Sequence, residues 1–221
     1  PVEYAGYQNV NRIEKGQPLG NFYGYVVDQV NPANGVLNYK DINGDGIITP
    51  EDRTIIGNAM PSSYFGFTNN FSYKGIFLDV LFTGVEGNDI FNASRIDLEG
   101  MLNSKNQSVT VLNRWTTPGQ ITDIPKANEP SSTLASDRFI EDGSYIRLKA
   151  VTLGYNFKKM FWGLNSLKLY TTGQNLVTWT DYTGFDPEVN SSITNKGTAQ
   201  GIDYGTYPQV RTYIFGLKAG F

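Results

Sequence analysis

The sequence predicts an all-β chain, an antiparallel segment of a transmembrane β-barrel with long loops at one end. Three observations carry that prediction. Apolar residues recur at a period of two over stretches of about ten residues, the pattern of strands and not of helices. The connections between those stretches alternate short and long. The composition is rich in Gly (24), Tyr (14) and Phe (13) yet only 18% charged, as suits a wall with one greasy and one wet face.

Taken in order, Leu19–Asp28 (LGNFYGYVVD) is the first strand candidate. Ser63–Tyr73 places Phe65, Phe67, Phe71 and Tyr73 on one face and Tyr64, Gly66, Thr68, Asn70 and Ser72 on the other. Lys74-Gly75 is a two-residue turn with a glycine available for positive φ. Ile76–Val85 then resumes the alternation, with Ile76, Leu78, Val80 and Phe82 opposite Phe77, Asp79, Leu81 and Thr83. Arg138–Phe157 alternates Ile146, Leu148 and Ala150 with Arg147 and Lys149, then slips near Val151, which points to a bulge. Ser166–Thr180 keeps Leu167, Leu169 and Val177 in phase, and Tyr207–Phe221 ends on Tyr213, Phe215, Leu217, Ala219 and Phe221. Helical spacing is confined to Asn92–Trp115, through Ile96, Leu98, Met101, Leu102, Val109 and Leu112.

Connections of about 33 residues (30–62), 2 (74–75), about 52 (86–137), about 8 (158–165) and about 26 (181–206) separate these six strands. Outer-membrane barrels show that alternation, whereas a compact soluble domain has little use for a ~52-residue connection. The hairpin arms match the ~9–11 residues that cross a bilayer at barrel tilt. Trp162 and Trp179 fall at strand ends, where aromatic girdles sit. Six strands cannot close a barrel, so the chain is expected to be part of a larger one. A secreted, soluble β-sandwich that binds carbohydrate is the alternative of a different class.

The 221 residues suffice for a large domain. A net charge of −3 argues against nucleic-acid binding. With no Cys and no His, disulfides, thiol chemistry and His-based catalysis are excluded. No stretch is long and apolar enough for a spanning helix, and no signal peptide is evident. A chain that begins at Pro1 is expected either to have been processed or to be numbered from within a longer protein.

Asp41-Ile42-Asn43-Gly44-Asp45-Gly46-Ile47-Ile48-Thr49-Pro50-Glu51-Asp52 follows the calcium-loop pattern, with Asp52 where an EF-hand has Glu. Oxygen donors from Asp41, Asn43, Asp45, the Ile47 carbonyl and Asp52 would suit a structural Ca²⁺, of modest affinity because Asp reaches less far than Glu. The plainer reading is an Asp/Asn/Gly turn without an ion.

Several stretches together resemble the C-terminal part of SusC/RagA-family TonB-dependent outer-membrane transporters. They are GQPLGNFYGYVVDQV at 16–30, the run from DINGDGIITPEDRTIIGNAMP to EGNDIFN at 41–92, NRWTTPGQITDIPKA at 113–127, RFIEDGSYIRLKAVTLGYNF at 138–157, GQNLVTWTDYTGFDPEV at 173–189 and GIDYGTYPQVRTYIFGLKAGF at 201–221. The resemblance implies about six C-terminal strands of a plugged barrel of ~22 strands in the outer membrane. It implies import of oligosaccharides or peptides with a SusD-like surface lipoprotein, driven by the TonB system through a plug that, like the earlier strands, this chain lacks. Outer-membrane lipid and the barrel assembly machinery are further implied partners, with Phe221 as the assembly signal. It also places 74–75 and 158–165 in the periplasm, and 30–62, 86–137 and 181–206 outside.

No enzymatic role is expected. Glu141 and Asp142 are adjacent and would point to opposite faces of a strand, and Asp186 and Glu188 suit loop packing better than a glycosidase pair. Tyr182, Phe185, Tyr204 and Tyr207 are loop aromatics able to stack on a sugar ring, or to pack the loops together. Asp79, Arg147 and Lys149 are expected to face the lumen, because a charge is costly against lipid.

Overall fold

A computed structural model of the chain describes residues 2–5, 7–157, 164–189 and 199–221. Its framework is a five-stranded antiparallel sheet of β1 (Ser63–Tyr73), β2 (Ile76–Glu86), β3 (Tyr145–Phe157), β4 (Ser166–Thr180) and β5 (Thr212–Gly220). The spatial order is β5-β4-β3-β2-β1, so each strand pairs with its neighbour in sequence. Lys74 (φ 46°) and Gly75 (φ 95°) close the β1–β2 hairpin with two positive-φ residues, a turn whose twist matches that of the strands. The register they set pairs Tyr73 with Ile76 and Phe71 with Leu78.

Paired residues in an antiparallel sheet share a face, so the hairpin's alternation extends across all five strands. One face carries the rows Phe71–Leu78–Leu153–Thr171–Phe215 and Tyr73–Ile76–Tyr155–Leu169–Leu217. The opposite face carries Asn70–Asp79–Thr152–Thr172–Ile214. The alternation is not perfect: Asn69 stands among the apolar residues beside Val80, and Phe77 lies on the polar side. Among the described residues nothing covers the apolar face. Phe67, Phe71, Tyr73, Ile76, Leu153, Phe215 and Leu217 are all exposed, Phe215 to 84%. A soluble sandwich would bury this side, and a contiguous apolar surface of this extent marks a site of contact with lipid or protein. Among the described residues no helix is long and apolar enough to cross a membrane.

The slip near Val151 is a bulge. Both pairings of β3 shift register between Leu148 and Ala150: against β2, Lys149 is the extra residue, while against β4 the extra residue is on β4, where Asn175 (φ 52°) and Leu176 stand opposite Lys149. Leu148 and Val151 therefore stay on the apolar face on either side of the break.

Several boundaries differ from the sequence reading. Leu19–Asp28 is not a sixth strand of the main sheet. It breaks into Asn21–Gly24 and Val27–Val30, and the first piece joins Val2–Ala5, Asn11–Glu14 and Thr54–Asn58 in a separate four-stranded sheet. The reason is burial: Phe22 is fully buried with its ring 6.2 Å from Phe91, so this stretch serves a different core. Residues 30–62 consequently do not link two strands of the main sheet. The long strand expected over Arg138–Phe157 breaks at Gly143-Ser144, and Ile140–Asp142 pairs instead with Asp89–Asn92, which also takes Ile202–Asp203 as a parallel partner. The helical spacing over Asn92–Trp115 yields a six-residue α-helix, Ser94–Glu99, and a 3-10 turn at Val109–Asn113. The last strand is limited to Thr212–Gly220.

These loop segments pack into a layer with its own core, built on Val10, Phe22, Phe91, Ala93, Ile96, Ala135, Phe139 and Ile202. The described parts of the long connections are thus folded structure, held over one end of the sheet.

Candidate functional site

Three polar assemblies sit in or beneath the loop layer. The first is the loop Asp41–Asp52. Asp41 accepts the Gly44 N–H at 2.6 Å and the Gly46 N–H at 2.7 Å, and both glycines take positive φ. Asp45 accepts from Ile47 N–H, and Asn43 Oδ1 from Asp45 N–H. Asp52 is fully buried and accepts from the N–H groups of Ile42, Asn43 and Thr49. The Thr49 N–H above all, with those of Ile42 and Asn43, outweighs burial and holds the Asp52 carboxyl below the ordinary carboxylate range.

The five predicted donor residues therefore lie in one loop, each carboxylate oriented by backbone. A carboxylate offers about four lone-pair sites, so the three N–H groups on Asp52 leave room for single-oxygen ligation only. Among the described residues no three acidic side chains gather as a metal cluster. The donor set that fits Ca²⁺ is mixed: two or three Asp, one Asn and a carbonyl, all hard oxygens.

The second assembly lies where the helix Ser94–Glu99 meets Ile140–Asp142. Arg95 donates from Nε and Nη2 to Glu99, at 2.9 and 3.1 Å, and from Nη1 to Glu141 and to the Arg138 carbonyl, both at 3.1 Å. Arg138 donates to Glu99 at 3.2 Å. Glu141 also accepts from Asn92 Nδ2 and from the Thr183 N–H and hydroxyl. Beside this network lies a cavity of about 490 Å³, lined by Asn92, Arg95, Glu141, Asp142, Asp181 and Phe185 among others. Glu141 is saturated with donors and fixed, not a free acid or base.

The third is a latch between wall and loop. Arg147, on the polar face of β3 and 1% exposed, donates to Asp186 and, at 2.9 Å, to Glu188. Lys149 Nζ lies 3.4 Å from Glu188. Burial pushes the Asp186 carboxyl up, but the Glu188 and Gln209 N–H groups and the Arg147 guanidinium together outweigh it and hold it below the usual range.

No protein-family model matches the chain. Among curated relatives it is similar to TonB-dependent receptor P3 of Formosa agariphila, 34% identical over 95% of this chain and 23% of that protein. TonB-dependent receptor P26 of the same organism is 36% identical over 85% of the chain and 20% of the relative. TonB-dependent receptor SusC of Bacteroides thetaiotaomicron is 27% identical over 89% of the chain and 19% of the relative. Of solved structures, the RagAB peptide transporter superposes with a TM-score of 0.79 at 24% identity, covering 99% of this chain and 24% of that one. The RagAB peptide importer in its open-open state gives 0.77 at 23% identity, over 96% and 23%. The chain belongs to the SusC/RagA family of TonB-dependent receptors.

It spans about a quarter or less of the curated relatives it matches. Receptors of this family are outer-membrane β-barrel proteins, and the chain is located there. Within this SusC/RagA segment, the residues singled out by sequence have diverse surroundings. Tyr182 is a correction: it is 6% exposed, packs with Ile90 and Val189, and donates its hydroxyl to Asp203, so its ring is closed to a ligand. Burial and the Asp203 carboxylate push its hydroxyl's pKa up. Tyr204 stacks on Tyr7 with centroids 5.4 Å apart and donates to Asp97, leaving one face covered. Phe185 and Tyr207 are each 81% exposed, and Phe185 lies at the cavity. Asp186 and Glu188 are latch acceptors, as a packing role requires. Trp179 sits at the loop end of β4 on the apolar face, paired with Ile146, while Trp162 lies outside the described residues. Phe221 is exposed, directly after β5.

Sequence reading missed Arg95, Glu99, Arg138 and Asn92. The four-residue spacing of Arg95 and Glu99 within a helical stretch was the available signal. Their partners lie about 40 residues away, beyond the reach of local pattern.

Proposed function

We propose that this segment supplies barrel wall and extracellular loops to an outer-membrane TonB-dependent importer of oligosaccharides or peptides. In that reading the apolar face of β1–β5 meets lipid, the polar face lines the lumen, and the loop layer lies outside. A SusD-like lipoprotein caps the loops, a plug elsewhere in the protein couples to the TonB system, and the barrel assembly machinery inserts the whole. The observation that carries it is the uncovered apolar sheet face in a chain of this family. The names of the relatives support import, RagAB being described as a peptide importer.

The test uses cells carrying the full-length receptor and labelled oligosaccharides or oligopeptides. Uptake is expected to disappear on deletion of the gene and on collapse of the proton gradient. Undiminished uptake of every cargo under both conditions would overturn the reading.

The same reading places a structural Ca²⁺ in the loop Asp41–Asp52, held by Asp41, Asn43, Asp45, the Ile47 carbonyl and Asp52. The ion would supply charge neutralisation and rigidity, and no catalysis. Weak affinity is enough where calcium is plentiful, and it stabilises the loop by mass action. Proteolysis within 41–52 is expected to be at least several-fold slower in millimolar calcium than in chelator, with Asp41→Ala abolishing the difference. Equal cleavage in both would remove the ion. Without calcium, the lowered Asp52 carboxyl gives a second expectation. Its stabilisation is present above the ordinary carboxylate range and is lost as pH falls through the lowered value, so the loop should loosen as pH falls below that range.

A further inference from the structure

We propose that the 490 Å³ cavity between the helix Ser94–Glu99, Ile140–Asp142 and the segment after β4 binds an organic ammonium group on a small body. Hydrogen-bonding capacity decides what the cavity can hold. Arg95 is the lining cation, and its Nε, Nη1 and Nη2 already donate to Glu99, Glu141 and the Arg138 carbonyl. Of the four lining hydroxyls three donate as well, Thr110 to Glu99, Thr183 to Glu141 and Ser94 to the Asp203 carbonyl, while Ser108 Oγ accepts the Thr110 N–H. Most of the spare capacity is on the acceptor side.

Asn92 is 3% exposed, and its amide nitrogen is fixed on Glu141, which determines the orientation of the group. Its Oδ1 is a buried acceptor with no donor. A buried acceptor left without a partner is costly, and Asn92 is one of the residues that line the cavity, so a small shift of its amide would bring Oδ1 to a donor held there. Asp181 has no partner among the described residues, and Asp142 uses one oxygen, accepting the Ser144 N–H. Both line the same cavity and add negative charge at its mouth. Leu98 and the exposed ring of Phe185 complete it with apolar surface. An ammonium brings three donors and a positive charge to a site whose spare capacity is mainly in acceptors and whose uncompensated charge is negative, whereas a carboxylate or phosphate would meet like charge.

This deepens the importer reading and rests on it for calling the bound molecule cargo; binding itself does not depend on transport. Two sources share the chemistry, the N-terminus of a peptide and an amino sugar. Titration calorimetry on the purified full-length receptor at pH 6 would compare phenylalaninamide with its N-acetyl form, and glucosamine with N-acetylglucosamine. At least one amine is expected to bind tenfold or more tightly than its acetylated form, and which one does so identifies the source. The preference should vanish in Asp181→Asn, a surface change that leaves the fold intact, and in Asn92→Leu. No preference for either amine, or one that survives Asp181→Asn, would overturn the proposal while leaving uptake as an independent matter.

Discussion

Val80→Arg is expected to prevent most of the receptor from reaching the outer membrane in folded form, while Asp79→Arg, one residue earlier, leaves assembly nearly unchanged. Val80 lies near the middle of β2 on the apolar face, paired with Asn69 of β1 and Val151 of β3. An arginine on the lipid face near the bilayer midplane costs ~2–4 kcal/mol, and the cost falls off toward the interfaces. Asp79 is on the opposite face beside Thr152, where it accepts a hydrogen bond from Asn70 at 2.7 Å. Replacing it loses that bond, worth roughly 1 kcal/mol, but puts the new charge against the polar side. The readout is the heat-modifiable, folded fraction in outer-membrane preparations. Equal yields of the two variants would mean that the faces are assigned the wrong way round.

That contrast was available from the alternation alone, because period two is a local property and pairing carries one strand's face to the next. The hairpin, its Lys74-Gly75 turn, the extent of β4 and even the bulge at Lys149 follow from residues within a few positions of one another. What failed was non-local. LGNFYGYVVD has the composition of a wall strand, yet Phe22 finds Phe91 and Tyr23 lies beneath the guanidinium groups of Arg12 and Arg53, at 4.3 and 5.0 Å. Those partners come from 10 to 70 residues away, and no local period encodes them. Tyr182 was undecided for the same reason: a loop aromatic suits a sugar ring or loop packing equally until Ile90, Val189 and Asp203 are brought around it. The backbone geometry of the loop Asp41–Asp52 was the most legible of the polar assemblies, because its Asp/Asn/Gly spacing and its Asx turns are both contained within twelve consecutive residues.

The latch joins the two parts of the fold, so breaking it should loosen the loop from the wall without unfolding the wall. Arg147→Met is expected to raise protease cleavage within 181–211 by about 10²–10³-fold. Removing one partner of a buried ion pair costs ~3–5 kcal/mol, since it leaves the other charge uncompensated. Here the stranded group is Asp186, whose side chain is 8% exposed, whereas Glu188 at 37% can turn to water. Asp186 also accepts the N–H groups of Glu188 and Gln209, so its displacement frees the chain on both sides of the loop. The pH dependence separates this account from simple loss of packing. In the intact protein the lowered Asp186 carboxyl stabilises the loop above the ordinary carboxylate range, and that stabilisation is lost as pH falls through the lowered value. Without Arg147, burial acts on Asp186 without its main opposing charge and moves the carboxyl upward, so acidification now relieves the defect. Excess cleavage of Arg147→Met over the parent should therefore be largest near neutrality and shrink as pH falls. Adding Asp186→Asn, which removes the charge but keeps only one of the two oxygens that accept the Glu188 and Gln209 N–H groups, should recover part of the protection. A cleavage excess independent of pH and untouched by the second substitution would mean that Arg147 holds the loop by bulk and not by charge.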